Sequence, residues 1–97
     1  MEKFEVMARV EKKTGFLLAV FPYDIADHRG SCTVYDGQHS GADYQWVLQN
    51  TKPADEQQTK DIMSMLCNAS YNDNEVRLIK QRNYTKYLDK FYESRKR

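Results

Sequence analysis

The 97-residue chain is 40% hydrophobic, 12% aromatic and 30% charged, a balance that excludes a disordered polymer and suits one domain with one core. Its longest apolar run, Phe16 to Phe21, falls far short of the roughly 20 residues a membrane-spanning helix requires. The formal charge of +1 selects no partner, but its distribution is two-ended: residues 77–97 hold eight basic and two acidic side chains, net +6, which leaves −5 on residues 1–76.

The opening residues, Met1 to Glu5, lack the basic, apolar and cleavage regions of a signal peptide, so the expected compartment is the cytoplasm. There Cys32 and Cys67, which fall in different predicted elements, are expected to stay reduced. Phe4, Val6, Ala8 and Val10 alternate with Glu5, Met7, Arg9 and Glu11, the period of a half-buried strand. A polar loop ending in Gly15 leads into Phe16 to Phe21, read as a central strand that Pro22 terminates. Residues 22–31 read as an irregular loop, and Ser31 to Tyr35 as a short third strand closed by Asp36 and Gly37.

From Gln38 to Lys52 the signals conflict. Tyr44, Val47 and Leu48 fit a helical face while Tyr44, Trp46 and Leu48 fit a strand, so the segment is assigned as loop with a short helix. Thr51 to Glu56 reads as a helix start, with Pro53 in the first turn. Ala54, Gln58, Ile62, Met65, Leu66 and Ala69 then form the inward stripe of a helix ending near Asn68. Glu75 to Arg82 alternates as a last strand. Asn83 caps a closing helix whose Tyr84, Tyr87, Leu88, Phe91 and Tyr92 form its core-facing stripe. The expected fold is a single α+β domain over residues 1–97, ordered β-β-β-α-β-α, with a small antiparallel or mixed sheet and two helices on one face.

The densest polar stretch runs from Asp24 to Ser40 and contains both histidines. His28, Cys32 and His39 have the ligand chemistry of a metal site. However, no C-x-x-C or H-x-x-x-H pair fixes two of them on one turn, and surface histidines are the commoner outcome. Cys32 with His39 as its base, oriented by Asp36 or Asp43, would make a thiolate pair; a cysteine inside a short strand is more often a small buried apolar group. Gly37 and Gly41 bracket Gln38, His39 and Ser40 in an anion-cradling layout that lacks the lysine of a P-loop. Arg77, Lys80, Arg82, Lys86, Lys90, Arg95, Lys96 and Arg97, interleaved with tyrosines, suit nucleic-acid backbone contact. The helical spacing turns those rings inward, and Asp89 with Glu93 interrupts the basic surface.

The run Ala19 to Pro22, then Gly30 and Cys32, then Tyr35, Gly37-Gln38-His39-Ser40 and Ala42-Asp43, with Thr51 to Ala54 opening the helix, resembles a family of small uncharacterised proteins of bacteria, phages and mobile elements. The resemblance spans roughly residues 14–82 and implies a short accessory product, with no assigned activity to carry over. The leading expectation is a non-enzymatic, cytoplasmic interaction or regulatory module without a cofactor, meeting a protein partner through Asp36, Gln38, His39 and Ser40. Nucleic-acid binding by Arg82, Lys86, Lys90, Arg95, Lys96 and Arg97 is the rival, and the metal or thiol site ranks third.

Overall fold

A computed structural model describes residues 3–95, less the side chain of Asp73. In chain order the elements are β1 (Phe4–Glu11), β2 (Leu17–Ile25), β3 (Cys32–Tyr35), β4 (His39–Ala42), α1 (Tyr44–Asn50), β5 (Thr51–Pro53), α2 (Glu56–Asn68), β6 (Val76–Leu78) and α3 (Tyr84–Arg95), with a 3-10 turn at Asp73–Glu75. The strands form one sheet in the order β4-β3-β2-β1-β5, and β6 also pairs with β1. All pairings are antiparallel except that of β1 with β6. The molecule is a single small α+β domain, as expected, but with more strands and a third helix.

Register sorts the side chains into two faces. Met7 lies opposite Val20 and Val20 opposite Val34, so Met7, Arg9, Val20, Cys32 and Val34 share one face; Val6, Ala8, Ala19, Phe21 and Tyr35 share the other. Helix α2 covers the second face, burying Ile62 and Leu66 against Val6, Ala19 and Phe21. Helix α1 covers the first, packing Tyr44 and Val47 against Met7, Val20, Cys32 and Val34. Helix α3 docks on the α1 side across the far end of β2. The expectation of two helices on one face is therefore corrected to helices on both. Met7 and Arg9 look like the solvent side of an alternating strand, yet Met7 is fully buried and Arg9 is only 8% exposed, because α1 closes over them.

Strand β2 does not stop at Pro22. It continues to Ile25, with its register against β3 shifting between Phe21 and Ile25; a residue with no N–H is tolerated at such an irregularity. The stretch 38–52 contains β4, α1 and β5. Helix α1 has seven residues, under two turns, too few for a period to stand out. Its start is defined by the Asp43 side chain accepting from the Trp46 N–H. Thr51 to Pro53 belong to a strand on β1 and do not start the helix. Helix α2 begins after Asp55, in a capping box with Gln58: Asp55 Oδ1 accepts from the Gln58 N–H at 2.7 Å, and Gln58 Oε1 from the Asp55 N–H at 3.0 Å.

Helix α2 ends in a Schellman pattern. The Tyr71 N–H reaches the Leu66 carbonyl and the Ser70 N–H the Cys67 carbonyl, with Ser70 in the left-handed region at φ 75°. The expected strand from Glu75 to Arg82 shrinks to Val76–Leu78, after which the chain bends and buries Arg82. Asn83 caps α3 as expected, its Oδ1 accepting from the Lys86 N–H at 3.2 Å. The aromatic stripe is less buried than its spacing suggests: Tyr87 and Phe91 are half-buried, but Tyr84, Leu88 and Tyr92 are exposed.

Candidate functional site

His39 opens β4 and lies opposite Tyr35, which puts its ring on the α2 face of the sheet. The turn at the end of α2 delivers Tyr71 to the same place. His39 Nε2 and Tyr71 Oη are 3.0 Å apart, sharing a hydrogen bond whose donor depends on the imidazole tautomer. The rings of Tyr35 and His39 are centred 4.6 Å apart, and Tyr71 continues the row to Phe21 at 5.4 Å and Phe4 at 5.3 Å. Burial raises the Tyr71 phenol above its ordinary value, and the negative charge of Asp24 pushes the same way. An exposed imidazole is thus held at the open end of an aromatic row.

The strand that carries His39 is the sheet's edge. Among the described residues β4 pairs only with β3, and His39, Ser40 and Gly41 are exposed. It has none of the charged or proline residues that usually guard an edge. The remaining expected loop residues surround it unequally. The Gln38 N–H donates to Asp36 Oδ1 at 3.4 Å, closing the β3–β4 turn, while Ser40 lies opposite Val34 and so points to the other face from His39.

The thiol and metal arrangements are not assembled. Cys32 lies on the opposite face of the sheet from His39, fully buried, and burial pushes its thiol up to about 11. The Cys32 Sγ is 3.2 Å from a guanidinium nitrogen of Arg82, whose charge opposes that rise only in part. Among the described residues no group of three His, Cys, Asp or Glu side chains could hold a metal ion, so His28, Cys32 and His39 do not converge. Cys67 is exposed, and no disulfide joins it to Cys32.

The basic surface expected around α3 is depleted. Arg82 leaves it altogether: it is 7% exposed, with its guanidinium 3.8 Å from the Tyr44 ring centre and 3.5 Å from that of Tyr87. Lys86 pairs with Glu5 and sits over the Tyr23 ring; Lys90 lines the same shallow surface pocket as Asp24 and Glu93; Arg95 stands over the Phe91 ring. Lys96 and Arg97 lie outside the described residues. Tyr71 and Arg9 are structurally placed polar groups that sequence reasoning does not pick out, and Arg82 is one that it assigns to the surface and the fold buries. Tyr71 follows a helix end with no motif of its own, and a lone arginine in an alternating strand reads as solvated. No family model, curated protein or solved structure matches the chain.

Proposed function

We propose that this chain is a non-catalytic interaction module of the accessory kind found in bacteria, phages and mobile elements. An extended segment of a protein partner adds to the free edge of β4, beside His39. The observation that supports this reading is the combination of an unguarded, exposed edge strand with the His39–Tyr71 pair and the Tyr35 ring at its side. Main-chain pairing along such an edge supplies affinity, and the flanking imidazole and phenol supply selectivity. Burial of the thiol and its separation from His39 argue against nucleophilic chemistry.

The test is selection of displayed peptides on the immobilised chain, followed by amide exchange on the best complex. Strand addition protects alternate β4 amides, because only every second N–H points outward. His39→Ala should weaken the complex about tenfold, the scale of one good polar contact in a small interface. Replacing Lys86 and Lys90 by Ala should leave it unchanged. Protection confined to α3, or binding indifferent to His39 but lost with the lysines, would overturn the reading in favour of the helix surface.

A further inference from the structure

The pairing pattern fixes which backbone groups of β4 are open. The Asp36 N–H donates to the Gln38 carbonyl at 3.4 Å, so by alternation Ser40 and Ala42 turn their backbone groups to β3, while His39 and Gly41 turn theirs outward. The bond from the Glu11 N–H to the Phe16 carbonyl, carried across β2 and β3 by their registers, gives the same parity. A strand added to this edge therefore sets side chains across from His39 and Gly41 on the α2 face. The first meets the His39 ring, with Tyr35 and Tyr71 against that ring. The second stands beside a residue with no side chain of its own. A Cβ at Gly41 would lie 3.1 Å from that of Ala26 and 3.6 Å from that of Ser31, so the turn at residues 26–31 closes against this position. Asp27 is fixed in that turn: its Oδ1 accepts from the Ser31 N–H at 3.2 Å and the Arg29 N–H at 2.8 Å, and these bonds hold its carboxyl below the ordinary carboxylate value.

The charge around this edge has one prevailing sign. Between Thr14 and Thr51 the chain holds four aspartates, Asp24, Asp27, Asp36 and Asp43, against one arginine, Arg29, net −3 with the histidines neutral. Asp24 shares a shallow pocket with Lys90 and is set aside. Asp36 and Asp43 bracket β4 in the chain, and both are exposed. Their oxygens accept from local N–H groups, of Gln38 at 3.4 Å and Trp46 at 3.3 Å, which leaves their charge in place. The ion pairs among the described residues are Glu56 with Lys60 and Glu5 with Lys86, so among them Asp27, Asp36 and Asp43 meet no cation. Such a field complements a basic segment and opposes an acidic one. It also opposes a second copy of this chain. In an antiparallel β4–β4 pair centred on Ser40, Asp43 of each copy would stand across from Gly37 of the other, next to that copy's Asp36.

Resting on the strand-addition reading, we infer that the segment taken up by β4 is basic: a lysine or arginine across from Gly41 reaches the Asp27 carboxylate, and Asp36 and Asp43 supply the surrounding field. The test presents the full chain with a displayed library of short random peptides. Binders should be enriched in lysine or arginine, and replacing that residue by glutamine in the best peptide should weaken it about fivefold. Asp27→Asn, Asp36→Asn and Asp43→Asn each keep an oxygen to accept the local N–H and remove the charge. Each should weaken binding about two- to threefold, and the three together about tenfold. Raising sodium chloride from about 50 to about 300 mM should weaken the wild type clearly and the triple variant much less. Peptides that protect the His39 and Gly41 amides without a basic residue, or that are indifferent to the three substitutions, would overturn this inference and leave strand addition standing. A library yielding no peptide that protects those amides would overturn both. Protection of the same amides that grows with the concentration of the chain alone would make the occupant a second copy and overturn it as well.

Discussion

Arg82 should behave as the fastener of α3. No residue of that helix is fully buried, so its attachment rests on few contacts. Arg82 supplies several: ring contacts with Tyr44 and Tyr87, a hydrogen bond from its Nη1 to the Pro22 carbonyl at 3.3 Å, and a backbone N–H donated to Tyr44 Oη at 2.9 Å. A desolvated cation–π contact is worth about 1–2 kcal/mol and a hydrogen bond from a charged donor about 1.5–3. Relief of the unpaired, buried Nε returns about 1–3 kcal/mol when the side chain is removed. Arg82→Ala should therefore destabilise by about 2–4 kcal/mol. With a urea slope of about 1–1.5 kcal/mol/M for a chain this size, the midpoint should fall by about 2 M.

The assay is urea unfolding followed by Trp46 fluorescence and far-ultraviolet dichroism, with amide exchange across residues 84–95 as the local readout. Exchange in α3 should accelerate more than in α2, whose Ile62 and Leu66 are packed independently of Arg82. Arg82→Met separates charge from bulk, since it keeps an apolar stem between the rings without the cation. If Arg82→Met matches the wild type within about 0.5 kcal/mol, the stem alone holds α3 and the cation–π reasoning fails. If Arg82→Ala does so as well, α3 is held elsewhere.

Gly30→Ala should release the same helix from the other side. Gly30 has φ 84°, its carbonyl accepts from Tyr87 Oη at 2.9 Å, and an added Cβ would run into Tyr87 Oη and lie 3.1 Å from Phe91; a loss of about 2–3 kcal/mol in urea unfolding is expected. Ser70→Gly should raise stability by about 0.5–1 kcal/mol in the same assay, because a side chain at φ 75° is strained and Gly is not. With a thiol reagent near neutral pH, Cys67 should react quickly and Cys32 only through opening, as its thiol is fully buried and raised to about 11; equal rates would contradict the packing. The raised Tyr71 phenol contributes stability that is fully present below the unfolded value near 10 and is lost as pH rises through the folded value. Tyr71→Phe should therefore flatten the alkaline arm of a stability–pH curve, and an unchanged arm would refute that assignment.

Several elements were legible because they are long or locally signalled. The alternation from Phe4 to Val10, the stripe of Ile62 and Leu66, the cap at Asn83 and the α+β class all follow from periods and turn chemistry that a chain carries in itself. Strands β4 and β5 and helix α1 are three to seven residues long. Over so few residues a period of two and a period of 3.6 cannot be told apart, and what selects between them is the neighbour: β3 for β4, and β1 for β5.

The candidate site divides the same way. Sequence alone singled out His39 and its polar neighbours, because glycines and short polar side chains mark exposed turns. It could not supply Tyr71, thirty-two residues away and brought to His39 by the end of α2, nor place Cys32 and His39 on opposite faces, which is a consequence of register. Arg9 and Arg82 show the same limit for charge. Each looks like a solvated cation in the sequence, and each is buried because α1 or α3 closes over it. Local pattern determined which segments could form strands and helices and which turns stay exposed. Tertiary packing decided which charges lost their water and which side chains met.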